Sequence, residues 1–134
     1  MKKSVTHFIS GVALGVDIWG AEIVLELQQD FPGITLEAAV PCRTQADRWR
    51  SRAKARYDRV LEKCNRVTVL QEQYTNDCMM KRNRYMVEAA DYVVAVWNGK
   101  PSGTANTIRY AKSIGKTVYC IDAITFKMRE IKGL

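Results

Sequence analysis

Short β-branched, apolar runs alternate with longer stretches of helical periodicity along this chain, and that alternation limits its fold more than any other feature. Val5–Ile9, Ile34–Val40, Arg66–Leu70, Tyr92–Trp97 and Lys116–Asp122 read as strands. Between them the periodicity predicts helices over 16–31, 44–64, 78–90 and 104–114, with Pro32-Gly33 ending the first, Thr44 capping the second and Gly115 closing the last. Tyr92–Trp97 is the most apolar run and reads as a central strand covered on both faces, while Ala123–Leu134 reads as a basic tail. Strands that alternate with helices join through right-handed crossovers. The expectation is therefore a Rossmann-like α/β fold, a parallel sheet of about five strands with helices on both faces. At 134 residues, 47% of them hydrophobic, residues 1–134 suffice for one domain and leave no room for a second.

No stretch of 18 apolar residues is present, and the chain moves from Met1-Lys2-Lys3 straight into a strand, so a cytoplasmic protein without a membrane partner is expected. Cys42, Cys64, Cys78 and Cys120 are widely spaced, and His7 is the sole histidine, so no metal, other cofactor or disulfide framework is expected. His7 lies within a strand without an evident partner and reads as structural. Lys and Arg exceed Asp and Glu by 21 to 14, a net charge of +7 that suits polyanions. Much of the excess lies between Arg43 and Arg59, with a second cluster at Lys81, Arg82 and Arg84.

In such a sheet, ligands bind beyond the carboxyl ends of the strands. Ser10-Gly11-Val12-Ala13-Leu14-Gly15-Val16-Asp17 joins a strand to a helix with two glycines, which let backbone amides approach a phosphate at a helix start. Its position favours phosphate binding over a plain packing turn; Asp17 either caps the helix or holds a ribose hydroxyl. Ser102-Gly103-Thr104 is a second glycine-containing helix start, with two hydroxyls. Arg82 lies on a helix from which it can clamp a phosphate. Pro41, Gln45 and Trp49 follow the second strand, where they can meet a base or sugar.

The segment Ser10–Asp17 with Ala21-Glu22, then Arg82-Asn83-Arg84, then Ser102-Gly103-Thr104 with Ala111 and Gly115, resembles in order the S-G-x-A-x-G-[IV]-D, R-N-R and S-G-[ST] motifs of the DNA-processing protein A (Smf) family. That family belongs to the SLOG superfamily of Rossmann-like folds, which also holds the Lonely guy proteins. Phe8–Gly11, Glu37–Cys42 with Gln45 and Trp49, and Arg82–Val87 resemble the YpsA-like branch more closely. Members of that branch usually begin with an additional strand, carrying T-G-H-R-P, and a helix, ahead of the point where this chain starts. This leaves open a shortened form or pairing of the exposed sheet position with another subunit.

Lonely guy proteins are phosphoribohydrolases that use an arginine in M-x-x-R-K and a glutamate in G-G-x-G-T-x-x-E. Met79 and Arg82 fit the first motif with Asn83 in place of its lysine; in the second, Gly103-Thr104 align, but Ser102 replaces a glycine and Thr107 the glutamate. Without that carboxylate the main chemical argument for hydrolysis is missing. The leading expectation is binding of a nucleotide or nucleotide-derived molecule through Ser10, Gly11, Ala13, Leu14, Gly15, Asp17, Arg82, Asn83, Ser102, Gly103 and Thr104. The alternatives are single-stranded nucleic-acid binding, and a nucleoside-monophosphate phosphoribohydrolase using Asp17 or Glu22. The resemblance also implies a homodimer.

Overall fold

A computed structural model describes residues 5–133. The elements follow the order β1 (His7–Ser10), α1 (Val16–Asp30), β2 (Thr35–Val40), α2 (Ser51–Lys63), β3 (Arg66–Val69), α3 (Cys78–Ala89), β4 (Tyr92–Trp97), α4 (Gly103–Ser113), β5 (Thr117–Asp122) and β6 (Met128–Ile131). This is a Rossmann-like α/β fold, with six described strands where about five were expected. The described chain forms two compact units, one running to Arg82 and the other starting at Asn83.

In the first unit β1, β2 and β3 form a parallel sheet in that order. Leu36 to Val40 of β2 are buried throughout, so residues on both sides of this strand leave water. Leu36, Ala38 and Val40 point to one face and meet Ile18, Ala21 and Val24 of α1 and Tyr57 and Val60 of α2 in one core, with Phe8 and Val69 packed against it. Asn65, just after α2, holds the layers in register: its Oδ1 accepts from the Leu36 amide at 2.9 Å and from Gln28 Nε2 at 2.7 Å.

The second helix starts later than its periodicity predicts. Residues 43–49 turn through i to i+3 backbone bonds, Gln45 to Cys42, Asp47 to Thr44 and Trp49 to Ala46, and α2 starts at Ser51 with Arg50 as its N-cap. These turns carry Ala46 into the core and lay Trp49 against it, and that burial outweighs the helical preference of the segment. Thr44 is thus not the cap of α2.

In the second unit the sheet order is β4-β5-β6, with β4 and β5 parallel and β6 antiparallel to β5. Its core joins Val87, Ala95, Ile108, Ala111, Val118 and Cys120. Two expectations are corrected here. The tail contains β6, formed because Asp122 Oδ1 accepts from the Ile124 and Thr125 amides and reverses the chain. β4 is an edge of its three-stranded sheet rather than a central strand, and Val94 on it is 68% exposed. Among the described residues no helix is long and apolar enough to cross a membrane.

Candidate functional site

The loop after β1 is held in an uncommon shape by its own residues. Ser10 Oγ accepts from the Val12 amide at 3.1 Å and donates to the Asp17 carbonyl at 2.9 Å, tying the loop's two ends together. Val12 sits at a φ of 46° with its side chain fully buried, so core packing compensates a left-handed conformation that a β-branched residue rarely adopts. Gly15 takes a φ of 89° as N-cap of α1, and no side chain caps this helix. The first turn of α1 therefore presents amides, and the positive end of the helix dipole, without a capping oxygen.

Arg82 reaches this loop from α3. It is 4% exposed, and its Nη1 donates to the Gly11 carbonyl at 2.5 Å, with the Ala39 carbonyl and Gln45 Oε1 each at 3.4 Å. One guanidinium thus draws together the carboxyl ends of β1 and β2 and the turn after β2. Burial lowers its pKa, and the nearby Asp17 carboxylate opposes that shift. Burial raises the Asp17 pKa, against the opposing pull of Arg82 and of the Ala13 amide. Gly11 is where the backbone comes closest: a Cβ there would lie 2.6 Å from Arg82 Nη1 and 2.9 Å from Asp17 Oδ2.

Gln45 adds an unfilled donor. Its Nε2 is sealed from solvent and, among the described residues, has no hydrogen-bond partner. The Tyr57 phenol lies near enough for the amide to favour its ionised form slightly, though outside hydrogen-bonding geometry; burial dominates and raises the Tyr57 pKa. Trp49 meets Tyr57 edge to face, with ring centroids 5.1 Å apart, so part of its surface already belongs to the core. Pro41 is fully buried, Ala13 is half-buried and Leu14 is exposed.

Of the residues selected from sequence, the structure brings Gly11, Asp17, Gln45 and Arg82 together in the first unit. In the second unit, Ser102 is the N-cap of α4 and accepts from the Ala105 amide at 3.2 Å, beside the exposed Gly103 and the half-buried Thr104; Asn83 is half-buried. Thr107, at the position of the Lonely guy glutamate, returns its hydroxyl to the Gly103 carbonyl at 2.9 Å. Glu22 pairs with Arg56 on α2, which holds its carboxyl below the usual range. Sequence reasoning did not assign Tyr57 or the Ala39 carbonyl to the site.

It also missed a polar network on the other face of the first sheet. Glu37 is 3% exposed; its Oε1 lies 3.1 Å from His7 Nε2, and its Oε2 accepts from Thr68 Oγ1 at 2.8 Å, while His7 Nδ1 lies 2.6 Å from Thr35 Oγ1. His7 therefore has partners, which its lone place in the sequence did not suggest. The parallel register puts His7 beside Thr35, Ile9 beside Glu37 and Ala39 beside Thr68, and only that register could have revealed the grouping. Among the described residues no group of three or more His, Cys, Asp or Glu converges as a metal site, and the four cysteines are free.

The sequence model of the YspA SLOG family matches residues 1–129. The chain is 31% identical over 123 residues to the uncharacterized SPbeta prophage-derived protein YoqJ of Bacillus subtilis, covering 83% of this chain and 72% of that one. It is 33% identical over 98 residues to a UPF0398 protein of Bacillus pumilus and 24% identical over 117 residues to one of Staphylococcus epidermidis, covering 72% and 84% of this chain. The chain spans only 52% and 62% of those two relatives' length. A match over nearly all of the chain, joined to the Ser10–Asp17 loop and the arginine that locks it, places this protein in the YpsA-like SLOG family.

Proposed function

We propose that the first unit binds a phosphate-bearing nucleotide or nucleotide-derived small molecule at the carboxyl ends of β1 and β2. The observation that carries this reading is the buried, unpartnered Nε2 of Gln45 beside the Arg82-locked loop. A sealed donor without an acceptor is destabilising by roughly 1–3 kcal/mol, and a ligand oxygen or ring nitrogen that meets it once the Gln45 side chain swings out would relieve it. The uncapped first turn of α1 supplies amides for phosphate, as helix starts after glycine-rich turns commonly do. Arg82 is engaged with backbone carbonyls, so in this reading it shapes the loop and lends positive charge while amides make the direct contacts. The start of α4 offers similar chemistry within its own unit, with Ser102 already serving the Ala105 amide.

Thermal stabilisation by a panel of nucleoside mono- and diphosphates, cyclic nucleotides, ADP-ribose and short single-stranded oligonucleotides tests this at low and high salt. A small nucleotide should raise the melting temperature at both salts, by the equivalent of about 2.7 kcal/mol at a hundredfold excess over its Kd. Gln45→Leu, which removes the buried donor while keeping an apolar filling, should abolish that shift and leave the ligand-free protein as stable as before. No shift from any small nucleotide would overturn the reading.

Single-stranded nucleic-acid binding is the second reading, supported by the exposed Arg48, Arg50, Arg52 and Arg59. Arg43, Lys54, Arg56 and Lys81 already pair with carboxylates, which thins the basic face. Shifts from oligonucleotides alone, fading steeply with salt, would favour it. Hydrolysis has less support: Thr107 bonds its own helix, and Glu22 is paired to Arg56.

A further inference from the structure

Helix α1 shows the solvent an apolar stripe edged by acids. Ile18, Ala21 and Val24 enter the first unit's core. On the outer side Val16, Trp19, Ile23, Leu27 and Phe31 stand 38–59% exposed, where a surface helix normally turns charge to water. Trp19, Ile23, Leu27 and Phe31 follow one another at four-residue steps and form a continuous apolar row. Glu22, Glu26 and Asp30, each three residues beyond a member of that row, form a second row beside it. On the opposite border Gly20 is exposed, and a Cβ there would meet nothing in this chain.

The charge on this face departs from that of the rest of the chain. α1 has no Lys or Arg, although the chain has 21 and a net charge of +7. Its last turn carries Asp30 and no cation, the reverse of what the negative end of a helix dipole favours. Arg56 of α2 pairs with Glu22, whereas Glu26 and Asp30 are exposed and enter no ion pair among the described residues. Arg59 and Lys63 of α2 line the groove on the far side of Glu22 and Glu26, so the apolar side of the acidic row has no cation of its own. We propose that this face docks a basic amphipathic helix of a partner protein. Its apolar stripe covers Trp19, Ile23 and Leu27, and its Lys or Arg residues pair with Glu26 and Asp30. α1 offers about 22 Å of length, which suits a partner helix of about four turns. Gly20 leaves room for that helix to come close. A second copy of this chain fits less well, because α1 against α1 brings acids and no cation to the contact.

Fluorescence anisotropy of a labelled model peptide tests the proposal, with a peptide of about 18 residues that carries leucine on one helical face and lysine on the other. It should bind the full chain despite the net charge of +7, gain helical circular dichroism on binding, and bind more weakly as salt is raised. Trp19→Ser with Ile23→Ser, both at exposed positions, should weaken binding about tenfold or more while the protein's own spectrum stays unchanged. Glu26→Gln with Asp30→Asn should weaken it and remove most of its salt dependence. Phe126→Asp, in the exposed patch of Ile124, Phe126 and Met128 on the second unit, should leave it intact. Absence of binding, binding that survives either double variant, or binding lost with Phe126→Asp would overturn the proposal. So would sedimentation velocity that finds the wild type dimeric and the Trp19→Ser, Ile23→Ser variant monomeric, because the occupant would then be a second copy.

Discussion

Replacing Gly11 by alanine should destabilise the protein out of proportion to the one methyl group added. The new Cβ would stand 2.6 Å from Arg82 Nη1, 2.8 Å from Cζ and 2.9 Å from Asp17 Oδ2, each inside the closest approach that real side chains make. A guanidinium at the surface would swing aside at little cost. Arg82 is 4% exposed and holds the Gly11 and Ala39 carbonyls, so yielding means loosening the charged hydrogen bonds that join β1, β2 and α3. Overpacking alone costs about 1–3 kcal/mol, and weakening a hydrogen bond to a buried charge adds a similar amount. The sum is about 2–6 kcal/mol, or a fall in Tm on the order of 10–20 °C for a chain of this length. Urea denaturation followed by far-UV circular dichroism measures it, with an unchanged m-value showing that native-state stability is what changed. Gly103→Ala is the control: a Cβ there meets nothing, and the residue opens a helix, so its midpoint should stay or rise slightly. A Gly11→Ala midpoint within about 0.5 kcal/mol of wild type would refute the claim that the guanidinium is pinned.

Because burial raises the folded-state pKa of Asp17, its protonated form favours folding; that contribution is fully present below the unfolded value near 3.8 and is lost as pH rises through the higher folded value. Asp17→Asn should therefore flatten the fall in stability above about pH 4, seen in urea midpoints across a pH series, and an unchanged slope would count against it. Arg56→Ala should change the urea midpoint little, since the Glu22–Arg56 pair is more than a third exposed and water screens it. Because Glu22 is depressed, that contribution should be present above its ordinary pKa near 4.5 and disappear as pH falls through the lowered one. Glu37→Ala should cost about 2–4 kcal/mol by opening a hole in the buried stretch of β2 and leaving the Thr68 hydroxyl without its acceptor; an exposed-residue cost near zero in thermal unfolding would show that the His7–Glu37–Thr68 network does not hold the sheet.

What the sequence determined by itself was everything carried by local period and local backbone preference. Two-residue and 3.6-residue periods located five strands and four helices, most boundaries within a residue or two, because each depends on neighbours a turn or a pleat away. Glycines marked the loops after β1 and before α4, since the need for a positive φ or a close approach is written into single residues such as Gly15 and Gly11. The residue types of the candidate site were legible as well, and Gly11, Asp17, Gln45 and Arg82 do meet. Their geometry was not legible. The bond from Arg82 to Gly11 spans 71 residues, and only tertiary packing turned a guanidinium expected to face a ligand toward two strand-end carbonyls. Packing likewise decided that residues 44–49 turn instead of joining α2, that an alternating basic tail pairs as β6, and that Glu37 lies buried against His7 and Thr68. The second apolar face of α1 shows the same division: its side chains are plain in the sequence, but which stripe of a doubly apolar helix enters the core depends on the face β2 and α2 present to it, and no local pattern encodes that choice.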